Sequence, residues 1–384
     1  MREVVIVDGC RTAVGRRKGV FANYRADDLA AIVIDELMSR TKVEKSIVDD
    51  VILGCVTQAE EQAGNIARTA ALIAGFPTYV PGVTIDRQCG SSQQAVHFGA
   101  QAIASGDMEV VVAGGVESMT RVPMLSNMKH TKPSSKLVEK YDIVHQGIAA
   151  EKIAQHWGFT RAQLDNYALN SHYRALQALE EGRFQQEVLP ISTENGEGET
   201  IVVDQDEGPR KDTTLAALAA LSPAFQAGGK ITAGNSSQMS DGASTVLLMS
   251  QNKATELQLK PKVRIVARAV VGSDPTLMLT GPIEATKKVL KKAGLSIEQM
   301  DRYEVNEAFA SVPLAWLQET GADPEKLNVN GGAIALGHPL GATGTKLLLS
   351  LIYELERING QYGLLTICEG MGMANATIIE RIAY

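Results

Sequence analysis

The chain has 384 residues, 45% hydrophobic and 21% charged, which excludes bulk disorder and argues for two or three folded units. Its 37 basic residues against 44 acidic ones, net −7, exclude a general nucleic-acid binder, which needs a basic footprint. No apolar run approaches the ~18 residues needed to cross a bilayer. No signal peptide precedes the first strand, and the four cysteines lack a C-x-x-C pair, so a cytoplasmic protein with free thiols is expected.

The first ~120 residues alternate strands and helices. Val4–Val7 reads as a buried strand, and Asp27–Ser39 as a helix with acids in its first turn. Asp50–Cys55 is a strand, and Asn65–Ala74 a helix stopped by Gly75 and Pro77. Gly82–Asp86 is a strand, Ser91–Ser105 a helix ended by Gly106, and Val110–Ala113 a strand running into Gly114 and Gly115. Residues 120–250 break the pattern. They are polar, with five prolines, and offer helices around Gly147–His156 and Ala162–Glu181. An insertion whose ends lie close together is tolerable at this length.

From Lys262–Ala267 the alternation resumes: helix Pro282–Ala293, strand Arg302–Val305, helix Ala308–Glu319, short strand Leu327–Val329, helix Thr343–Ile358 and strand Gly363–Ile367. The stretch SIVDDVILGC parallels SIEQMDRYEV, and VVVAGG parallels LLTICEG. The chain thus reads as a duplicated α/β unit with parallel strands: an N-terminal half (1–119), an inserted loop domain (120–250) and a C-terminal half (251–384).

Four segments carry chemistry. In Asp86-Arg87-Gln88-Cys89-Gly90-Ser91, a cysteine stands between a strand end and a helix start, where unpaired N–H groups and the helix dipole favour thiolate. A buried, inert cysteine is the competing reading. Gly331–Gly344 places His338 in a glycine-rich loop before a helix. The order of Gly344, Thr345 and Lys346 does not match a P-loop, which favours a catalytic histidine over a phosphate cradle. Cys368, Glu369 and Gly370 close another strand. Asn306 either caps the helix beginning at Ala308 or holds a catalytic water.

Together with VIVDGCRTAVGR at the N-terminus, GGVESM at 114–119, TAGNSSQMSDGA at 232–243 and NEAFA at 306–310, these segments resemble the thiolase superfamily along nearly the whole chain. The resemblance implies a five-layered αβαβα fold whose inserted loop domain helps to bind coenzyme A, and an acyl-CoA C-acyltransferase that acts as a homodimer or homotetramer. Coenzyme A is a substrate, and no cofactor or metal is implied. By the same resemblance Cys89 is the acylated nucleophile, His338 its base, and Cys368 the second acid–base. Asn306 with its water, and the backbone N–H groups of Cys89 and Gly370, form two oxyanion holes. Arg210, Ser237 and His145 lie along coenzyme A.

Three positions depart from the family pattern: Gln146, Glu369 beside Cys368, and a Met371–Ala374 stretch poor in glycine. The competing functions are a ketoacyl-synthase-like condensing enzyme, which uses Cys-His-His where this chain has Asn306 and Cys368, and a non-catalytic coenzyme A or lipid carrier. The wording RQCGSSQQA hints at bulky or steroid-derived substrates.

Overall fold

The computed structural model describes residues 2–194 and 198–384. Nine strands build the core: β1 (Val4–Thr12), β2 (Asp50–Gly54), β3 (Gly82–Ile85), β4 (Val110–Ser118), β5 (Ser240–Ser250), β6 (Val263–Gly272), β7 (Arg302–Val305), β8 (Tyr362–Glu369) and β9 (Met373–Arg381). They run in the order β3-β2-β4-β5-β1 and β6-β9-β8-β7. Among the described residues, the strands of the two groups join into one sheet where β1 pairs with β6, at Val5–Arg264 and Ile6–Val263.

Each group has the same design. β2 pairs parallel with β4, and β7 parallel with β8. The second member of each pair then takes an antiparallel neighbour, β5 or β9. A single 3-10 turn, Lys45–Ile47 or Ile297–Gln299, leads into each matching strand. The chain is therefore an α/β protein built of two similar halves.

Helices α1 (Ala26–Thr41) and α2 (Ile66–Ile73) cover the outside of the first half, and α6 (Gly281–Ala293) and α7 (Ser311–Thr320) that of the second. α3 (Ser91–Ser105) and α8 (Thr343–Ile358) pack on each other between the two sheets. Every residue of α8 from Thr343 to Leu355 is buried, as expected of a helix enclosed on all sides. Val96, Ile103, Leu348, Ile352, Val246 and Ile367 share one core across this middle layer. The insert carries α4 (Gln146–His156) and α5 (Arg161–Glu180). It is tied to β1 by buried Arg11, whose guanidinium grips both Asp206 oxygens (2.7 and 3.0 Å) and Glu187 (2.9 Å).

The structure corrects three expectations. The polar segment assigned to the insert through residue 250 becomes, from Ser240 on, a strand of the first sheet between β1 and β4. Its small Ser, Gly and Ala residues are buried on both faces, which hid the usual strand alternation. β9 was not expected at all. Leu327–Val329 forms no strand and contributes a single bridge from Leu327 to Tyr303. No helix among the described residues is long and apolar enough to cross a membrane.

Candidate active site

The turn before α3 is tightly wound. Gln88 takes φ 49, a left-handed value uncommon outside glycine. Gly90 N–H donates to Arg87 O (3.1 Å), Ser91 N–H to Gln88 O (3.0 Å), and Gln88 N–H to Asp86 Oδ1 (2.7 Å). This holds Cys89 at the mouth of α3, against Val56, Met119 and Leu340. Leu340 belongs to the His338 loop, so the N-terminal thiol and the C-terminal imidazole loop meet across 249 residues of sequence. The junction is pinned by Thr345 N–H donating to Ser92 Oγ (3.0 Å). Buried Glu117 adds to it by accepting N–H donors from Val56, Thr57 and Gly341. A Cβ on Gly115 would strike the Gly341 carbonyl, which makes glycine a requirement of this approach.

His338 is buried, and its hydrogen bonds assign its tautomer. Thr343 Oγ1 lies 2.6 Å from Nδ1 and donates its own proton to Pro339 O at 2.8 Å. It must therefore accept from Nδ1–H. Nε2 is left with its lone pair, 3.3 Å from the Asn306 amide nitrogen. Asn306 stands at the end of β7, where its N–H donates to Thr366 O (3.1 Å). Its buried Oδ1 has no protein partner among the described residues. Burial, and then Lys346, push the imidazole down to about 3, so it rests neutral.

Both thiols are held in the opposite sense. Burial, then the proximity of Cys368 and Glu369, pushes the Cys89 thiol well above its ordinary range. The helix end favours thiolate, but burial outweighs it. Cys368, fully enclosed in the core of α4, α7 and Ile334, is pushed up to about 12, again by burial first. The thiol and the imidazole thus both rest in their neutral forms, with the Cys89 turn packed against Leu340 of the His338 loop. Gly370 abuts the side chain of Gln88, which brings the turn after β8 against the Cys89 turn. Cys10 and Cys55 are buried core thiols.

Of the other expected residues, Arg210 lines a cleft of about 220 Å³ with Asp212, Leu218, Gly234, Gln238 and Ile334, whereas Ser237 and His145 lie outside that lining. Gln238 joins the cleft to the site, since His338 N–H donates to Gln238 O (3.1 Å). Ser237 N–H donates to Ala308 O at 3.0 Å beside Asn306. His145 caps α4 by accepting from Gly147 N–H (3.1 Å), and its ring stacks on Phe225. Two residues escaped sequence reasoning. Thr343 fixes the His338 tautomer. His172, buried in α5 and lowered to about 4 chiefly by burial, accepts the Arg210 N–H at 3.2 Å. Its place in the Gly-rich loop, five residues after His338, could have flagged Thr343; no motif marks His172.

Residues 4–252 match the family described as thiolase, N-terminal domain, and residues 259–381 match thiolase, C-terminal domain. The chain belongs to the thiolase family and is an acyl-CoA-transferring enzyme of it. It is 48% identical over 393 residues to the steroid 3-ketoacyl-CoA thiolase FadA6 of Mycobacterium tuberculosis, covering 100% of this chain and 95% of that one. It is 45% identical over 391 residues to a 3-ketoacyl-CoA thiolase of Bacillus subtilis, covering 99% of this chain and 100% of that protein. The crystal structure of Bacillus anthracis acetyl-CoA acetyltransferase superposes with a TM-score of 0.92 at 41% identity, covering 100% of this chain and 99% of that one.

Proposed function

We propose that the enzyme cleaves 3-ketoacyl-CoA with coenzyme A, giving acetyl-CoA and a shortened acyl-CoA, through an acyl-Cys89 intermediate. The observation that carries this reading is that the Cys89 turn lies near Cys368 and packs on the loop of His338, whose Nε2 is unprotonated and accepts from the Asn306 amide. Cys89 attacks the 3-keto carbon as His338 Nε2 accepts the thiol proton. The C2–C3 bond breaks, its electron pair passes to C2, and Cys368 protonates the resulting acetyl-CoA enolate. Coenzyme A then gives its thiol proton to Cys368 and attacks the acyl-Cys89 carbonyl. Cys89 leaves and recovers its proton from His338.

Asn306, with a water, and the N–H groups of Cys89 and Gly370 serve the developing oxyanions; one such donor is worth about 2.7–4 kcal/mol. Arg210 meets the nucleotide end of coenzyme A, Ser237 the pantetheine amide and His145 the sulfur end. A ketoacyl synthase would use Cys-His-His, whereas this chain has Asn306 and Cys368 instead, and a non-catalytic carrier has no use for this constellation. The 48% identity to a steroid thiolase favours bulky acyl groups. The exposed edge of β3, with Val83, Tyr79 and Phe98 nearby, supports assembly as a homodimer or homotetramer. Four free cysteines fit work in a reducing cytoplasm.

Intact-mass spectrometry of enzyme quenched during turnover should show an acyl adduct that Cys89→Ala lacks, and retained thiolysis in that variant would overturn the assignment. A thiolysis screen from acetoacetyl-CoA to ring-bearing 3-ketoacyl-CoA should favour the larger substrates.

A further inference from the structure

Glu369 is the last residue of β8, and strand alternation turns its side chain to the opposite face from Cys368. It lies with Asn375 under the Cys89–Gly90 turn. A Cβ on Gly90 would collide with the Glu369 carboxyl and press on Asn375 Nδ2, which itself donates to Gly90 O at 2.9 Å. The carboxyl is completely buried, and neither of its oxygens has a hydrogen-bond partner among the described residues.

An ionised carboxylate in such a place is cut off from bulk solvent and has no protein donor or close ion pair among the described residues, so the protonated form is favoured. The charged and titratable groups around it are few. Arg87, whose buried Nε has no partner and whose Nη1 rests on Met373 Sδ (3.6 Å), favours ionisation. Asp86 on the same loop opposes it, and burial outweighs both and raises the carboxyl to about 9. The remaining neighbours are the thiols of Cys89 and Cys368, each of which is disfavoured as thiolate by a charge on Glu369.

We propose that Glu369 is a positioning residue for the nucleophile: it fills the space beneath Gly90 as a neutral carboxylic acid, and keeping its proton is what allows Cys89 to ionise during attack. The protein thereby carries a carboxyl next to its reactive sulfur without setting two negative charges against each other. This rests on the reading of Cys89 as the nucleophile.

The test is the rate of Cys89 alkylation by iodoacetamide, read by peptide mass spectrometry from pH 6.5 to 10.5, in wild type, Glu369→Gln and Glu369→Ala. Below about pH 8 the wild-type and Glu369→Gln profiles should coincide. Above about pH 9 wild type should fall behind by about tenfold, the change in thiolate fraction for one unit of thiol pKa. Glu369→Ala should show the same freedom from the high-pH lag, so the test survives if the amide variant misfolds. Profiles that stay superimposed to pH 10.5 would refute the coupling. A gap already complete at pH 7 would mean that the carboxyl is charged at rest, and would refute its neutrality. Retained thiolysis in Cys89→Ala would overturn the catalytic reading alone, since alkylation reports on the sulfur whether or not it turns over.

Discussion

Thr343 Oγ1 stands 2.6 Å from His338 Nδ1 and donates its own hydrogen bond to Pro339 O, so one hydroxyl decides which imidazole nitrogen carries the proton. Thr343→Val keeps the volume and removes the acceptor. The tautomer is then free, and kcat should fall about ten- to a hundredfold, part of the 10²–10⁴ a general base supplies, with KM nearly unchanged. Steady-state kinetics check this, and Thr343→Ser should restore activity.

The neutral thiol–imidazole pair makes a prediction about pH. A preformed ion pair gives alkylation that levels off at low pH. Here burial raises Cys89 and lowers His338 to about 3. The logarithm of the alkylation rate should therefore climb with a slope of about one from pH 7 to 9, and a plateau across that range would contradict the geometry.

Glu369 also ties stability to pH. Its folded-state pKa, about 9, lies above its unfolded value near 4.5. The folded state therefore holds a proton that the unfolded state has released. The contribution is fully present below pH 4.5 and is lost as pH rises toward 9, at about 1.4 kcal/mol per pH unit. Glu369→Gln should unfold at higher urea than wild type at pH 8, with the difference shrinking toward pH 5.

At the cleft, Arg210→Ala should raise KM for coenzyme A about tenfold, or ~1.4 kcal/mol, while leaving kcat alone. His172→Ala should raise it less, by loosening the Arg210 backbone, and His172→Asn, which restores an acceptor near the Nδ1 position, should recover it.

Local sequence pattern carried much of the fold. The strands leading to Cys55, Gly114 and Cys368, and the helices after Cys89 and Thr343, follow from apolar runs closed by glycine. Ser240–Ser250 escaped because small polar residues buried on both faces look like loop. The individual candidates Cys89, His338, Asn306 and Cys368 stood at legible strand ends and loops. What sequence could not supply was direction. The helix-end argument pointed Cys89 toward thiolate, whereas burial, a property of the assembled fold, reverses the sign. Glu369 likewise reads as a charge beside Cys368 until β8 turns it beneath Gly90.

Because the proposed nucleophile at 89 depends on a loop around 338 and a strand ending at 369, turnover is expected only once segments from both halves have docked. Separate fragments ending and beginning between 252 and 259 should each be inert, and turnover on mixing them would measure the strength of the grip between α3 and α8. Turnover, rather than thiol reactivity, should then report completed assembly.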